Sequence, residues 1–195
     1  VIRDSIKAEF GFFCIEKDKD RAEHLARIVE EWKPKLPGNC WTKVVHGTFD
    51  ATMTEALDSV DEQAKQLAPA FVMVDPFGVS ETPMSVIERI LKNPSSEVYV
   101  TFMYESINRF KSTPEFMRHL DELFGCEEWR DGVELNEQEE RKNFFYNLYE
   151  KQLRKAGAKH VVHFDLDEEQ RLVYGIFFGT QNITGCDRMK QAIWK

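Results

Sequence analysis

At 195 residues, with 42% hydrophobic and 31% charged side chains, the chain has the composition of an ordinary globular domain and enough length to bury a sizeable core. A formal net charge of -8 argues against a global electrostatic grip on nucleic acid or an anionic membrane, so any such partner needs a local site. No apolar run is long enough to cross a bilayer and the amino terminus is not a signal peptide, which predicts a cytoplasmic protein with no membrane partner. Cys14, Cys40, Cys126 and Cys186 are scattered, with no CxxC pair and no histidine at ligand spacing, so reduced thiols and no metal site are expected.

Ile2, Ile6 and Ala8 suit the end of a helix. Residues 10–15 (FGFFCI) read as a buried strand that ends at Glu16, after which Asp18 or Asp20 caps a helix with apolar positions at Ala22, Leu25, Val29 and Trp32. A loop holding Pro34, Pro37 and Gly38 precedes a second short strand over 41–47, which leads into Thr48, Phe49 and Asp50. Met53, Leu57, Val60, Ala64 and Leu67 mark the next helix.

Phe71, Val72, Met73 and Val74 form a continuous apolar run, the pattern of a strand buried on both faces of a parallel sheet. Asp75 ends it, and Pro76 and Gly78 take the chain out of the sheet. Thr82 is the expected N-cap of a helix that begins at Pro83, carries Met84, Ile87 and Leu91, and stops at Asn93 and Pro94. A carboxylate, a proline and the aromatic Phe77 at the carboxyl end of such a strand stand where open α/β sheets bind ligands. Equally, Asp75 can cap the next segment while Phe77 packs on the sheet.

Residues 97–104 (EVYVTFMY) are the next strand, and Thr113 and Pro114 start a helix with Phe116, Leu120, Leu123 and Phe124 on one face. Strand followed by helix, repeated along the chain, predicts a parallel sheet covered by helices. Residues 126–136 are an acidic loop or insertion and 139–156 a long helix, together a helical insertion around 126–157 in a single domain spanning 1–195. Arg141, Lys142, Lys151, Arg154 and Lys155 alternate in that helix with Phe144, Phe145, Leu148, Tyr149 and Leu153. Such a helix could touch nucleic acid, but an amphipathic helix with a solvated charged face is the commoner cause of the pattern. Residues 159–164 and 172–178 are two more strands, and the stretch between them is too short for a parallel crossover, so they pair antiparallel.

A parallel α/β sheet that finishes in an antiparallel hairpin resembles the Rossmann-like fold of class I S-adenosylmethionine-dependent methyltransferases. Four stretches are similar to the three-Cys-motif partner (TcmP) family: FCIEKDKDRAEHL from Phe13, HGTFD from His46, FVMVDPFGVSETPMSVIERIL from Phe71 and FFGTQNITGCDRMKQAIWK from Phe177. The resemblance implies a methyltransferase with S-adenosylmethionine as cofactor. Glu16 would accept hydrogen bonds from the ribose, Phe49 and Asp50 would flank the adenine, and Asp75 would stand between cofactor and acceptor.

It further implies that Asp75, Pro76, Phe77 and Gly78 face the acceptor, as in the Asp/Asn-Pro-Pro-aromatic signature of enzymes that methylate exocyclic amines of nucleic acid or other acceptors. The sequence departs from that signature: Phe77 replaces the second proline and Gly78 the aromatic. The family fold also has one strand more than the six read here, and the first strand with its Gly-rich loop is the one expected to be missing. Two functions therefore stand side by side. One is a methyltransferase; the other is a non-catalytic interaction module that uses the same scaffold to partner a protein with three clustered cysteines.

Overall fold

The computed structural model describes residues 8–76, 78–168 and 171–193. Six strands and seven α-helices occur among them, and by its internal contacts the chain divides into two compact units, Val1–Glu55 and Ala56–Lys195.

In the first unit, β1 (Phe10–Glu16) and β2 (Cys40–His46) pair in parallel, with Phe10 opposite Cys40 and Glu16 opposite His46. Gly11 leaves room for the indole of Trp41, whose nearest ring atom stands 2.1 Å from where a Cβ would sit. The crossover is α1 (Lys19–Trp32), capped by Asp18, whose carboxylate accepts a 2.9 Å hydrogen bond from the Arg21 N–H. α2 (Phe49–Glu62) begins three residues after β2. It starts earlier than its apolar spacing suggests and stops before Ala64, which has φ of 50°, so Ala64 and Leu67 lie beyond it.

The second unit is a four-stranded sheet in the order β3-β4-β6-β5. β3 (Ala70–Val74) and β4 (Ser96–Phe102) are parallel, joined through α3 (Met84–Leu91). After β4 come α4 (Tyr104–Phe110), α5 (Pro114–Phe124), a 3-10 helix over Glu128–Glu134 and α6 (Gln138–Lys155). β5 (His160–Glu168) and β6 (Arg171–Thr180) form the antiparallel hairpin predicted from the short connection, and β6 inserts between β4 and β5, antiparallel to both. α7 (Ile183–Ile193) closes the unit. The fold class is α/β with both parallel and mixed sheets.

Alternation along β4 sends Val98, Val100 and Phe102 to one face, where they meet Phe177 of β6 and the apolar stripes of α3, α5 and α6. Aromatic rings dominate this core. Phe102 stands 4.7 Å from Tyr149 and 5.2 Å from Phe177 between ring centroids, and Phe124, Phe145 and Trp129 are fully buried around them.

Three local expectations need correction. β1 and β3 are strands, but they are not buried: Phe12 is 52%, Phe71 55% and Met73 63% exposed, because each strand has a single strand neighbour among the described residues. Thr82 does not cap α3. Its hydroxyl is buried without a hydrogen-bond partner, Pro83 takes the cap position, and the Pro83 carbonyl accepts from Val86 and Ile87. β4 ends at Phe102, and Tyr104, read as its last residue, instead starts α4. The acidic segment after Cys126, read as a loop or insertion, carries the 3-10 helix, and Trp129 within it is fully buried and donates a 2.8 Å hydrogen bond to Asp121.

Candidate functional site

The first group of predicted residues gathers at the carboxyl end of the β1–β2 pair. Glu16 is the last residue of β1, and its carbonyl accepts from the Gly47 N–H at 3.0 Å, tying the end of one strand to the exit from the other. Its carboxylate accepts a 2.8 Å bond from the Asp18 N–H at the entrance to α1. Glu16 thus performs the helix-entry role that its position allows, and this engages one carboxylate oxygen. His46 Nε2 stands 3.1 Å from the Lys17 carbonyl, so that nitrogen carries the proton.

Phe49 and Asp50 are not loop residues but the first two residues of α2. Asp50 sits in the first turn, where the partial positive charge of the helix terminus favours a carboxylate. One of its oxygens takes a 2.5 Å bond from the Thr48 hydroxyl. The unit therefore presents an aromatic ring and two carboxylates, each with one oxygen engaged by these hydrogen bonds, at or just past the ends of two parallel strands. Open α/β sheets bind ligands at this edge.

The second group lies in the other unit. β3 ends at Val74 and Asp75 follows directly, exposed; Pro76 is half-buried and Gly78 has φ of 104°, a left-handed conformation that suits glycine. Phe77 lies outside the described residues. The connection from Asp75 to α3 is held by Val79, 3% exposed, and by the buried Thr82, while Glu81 has φ of 71°. A non-glycine residue in that region costs about 1–3 kcal/mol and marks a connection whose shape is imposed by its surroundings.

Tyr99 and Tyr174, passed over in the sequence, share the sheet face of Phe71 and Met73. Register places Tyr99 opposite Met73 on one side and Phe178 on the other. Burial raises the Tyr99 hydroxyl above the ordinary phenol range, and Tyr174 and Asp75 add to the effect, so each of these two lies within electrostatic reach of Tyr99. The signal for Tyr99 was the alternation in EVYVTF, which sets it on the face opposite Val98 and Val100. For Tyr174 there was none, because its relation to Tyr99 depends on β6 lying next to β4.

Compared with models of known protein families and with curated proteins, the chain matches none.

The remaining expectations concern partners. On α6, the buried face carries Phe145, Leu148, Tyr149 and Leu153. On the outside, Lys151 pairs with Glu128 at 2.5 Å, Lys155 with the same carboxylate at 3.7 Å, and Arg154 with Glu150 at 2.8 Å. Those cations are paired to acids of the same chain, which favours the amphipathic reading over a nucleic-acid contact. Among the described residues no helix is long and apolar enough to cross a membrane, and no three His, Cys, Asp or Glu side chains converge as a metal site would require. The four cysteines are unpaired.

Proposed function

We propose that the protein is an S-adenosylmethionine-dependent methyltransferase of the kind found in the three-Cys-motif partner family. The observation that carries this reading is the strand order β3-β4-β6-β5, with β6 alone reversed in a sheet that is otherwise parallel. That topology distinguishes the methyltransferase-like sheet from the ordinary dinucleotide-binding one. Carboxylates at the end of β1 and just beyond the ends of β2 and β3 support it.

The residues present suit the cofactor in donor and acceptor terms. A carboxylate offers about four acceptor sites. Glu16 retains capacity for ribose hydroxyls beside its bond to Asp18, and Asp50 retains capacity for an exocyclic amine beside its bond to Thr48. Phe49, adjacent to Asp50, would stack on the adenine. S-adenosylmethionine supplies the transferable methyl group when bound. Asp75 would accept a hydrogen bond from the acceptor, a contribution of positioning more than of acid–base chemistry. An amine acceptor, in a nucleic acid or elsewhere, fits such a carboxylate, although the DPFG segment departs from the amine signature by one proline and by the place of its aromatic. In this reading the protein works in the cytoplasm.

The exposed apolar edges of β1 and β3 support the expectation that a strand of the family fold is lacking from the described structure. They also favour the second reading, a methyltransferase scaffold that binds a three-Cys-motif protein without catalysis.

Calorimetric titration with S-adenosylmethionine and S-adenosylhomocysteine, on the wild type and on Glu16→Ala, separates the two. The methyltransferase reading expects binding that Glu16→Ala weakens by about 10-fold or more, the size of one lost charged hydrogen bond of about 1.5–3 kcal/mol. Absence of binding by folded protein overturns it in favour of the interaction module.

A further inference from the structure

We draw no further inference here: the strongest candidate, the open edge of β3 with its exposed Phe71 and Met73 and the shallow groove that Phe71, Phe178 and Met189 line beside α7, is an unpartnered apolar surface, and nothing in the structure shows what covers it.

Discussion

Tyr149 sits at the centre of the aromatic core with its hydroxyl buried and without a hydrogen-bond partner, and burial raises its pKa far above the ordinary phenol value. A buried hydroxyl that bonds to nothing costs about 1–3 kcal/mol. Tyr149→Phe is therefore expected to leave stability unchanged or raise it by about 1 kcal/mol in chemical denaturation, and a clear loss would mean that the hydroxyl has a partner. Asp121 is the opposite case. The Arg130 guanidinium, at 2.7 and 3.0 Å, holds its carboxyl below the usual carboxylate range, with the Trp129 indole N–H assisting. Its contribution to stability is present above the unfolded-state pKa and is lost as pH falls through the lower folded-state value. Asp121→Asn should be less stable than wild type at neutral pH, and the gap should narrow as the solution is acidified below the ordinary carboxylate range. A gap independent of pH would separate Asp121 from the acid limb.

At the scale of elements, the contact between α6 and the β5–β6 hairpin turns on space. The Tyr146 hydroxyl donates to Asp165 at 2.8 Å, Lys142 pairs with the same carboxylate at 2.6 Å, and the Tyr146 oxygen stands 2.3 Å from where a Cβ on Gly175 would lie. Gly175 is there because a side chain would displace the ring that clamps the helix to the sheet. Gly175→Ala should cost about 1–3 kcal/mol, the range for overpacking a well-filled core. Tyr146→Phe removes the nearest colliding atom, leaving a ring carbon at 2.8 Å, and should recover part of that loss, so the double variant should be less destabilised than the sum of the single ones. Additive losses in thermal unfolding would mean that the two positions do not share the contact. α7 depends on a similar fit. Gly185 lies under the Glu97 carboxylate, 2.0 Å from a would-be Cβ, and that carboxylate takes a 2.7 Å bond from Thr180.

At the scale of the whole molecule, protection is expected to be uneven. Ala22 and Met53 are the only buried hydrophobic side chains among the described residues of the first unit, whereas β4, β6 and their covering helices hold a continuous aromatic core. An isolated two-stranded sheet is marginal in water. Amide hydrogen exchange should therefore be fastest in β1 and β2 and slowest in β4 and β6. Equal protection across both sheets would indicate that the first unit is held by more than its own contacts.

The sequence by itself determined the alternation of strands and helices, because hydrophobic period and turn residues act over a few positions. It also determined the antiparallel hairpin, because too few residues separate its strands for a crossover, and the inward face of α6, where apolar residues recur at helical spacing. Asp75 was readable as a candidate because it ends an apolar run, whereas Glu16, Phe49 and Asp50 were candidates only through the resemblance to a known family. Only the tertiary structure decided that β1 and β3 each have a single strand neighbour among the described residues, that Thr82 is buried instead of capping a helix, and that Tyr174 and Asp75 come within reach of Tyr99. An apolar strand carries the same local pattern whether one neighbour flanks it or two. Which residues share a sheet face across β3, β4 and β6 is set by pairing between segments up to about eighty residues apart, as for Val98 opposite Gly179, and no local preference encodes that pairing.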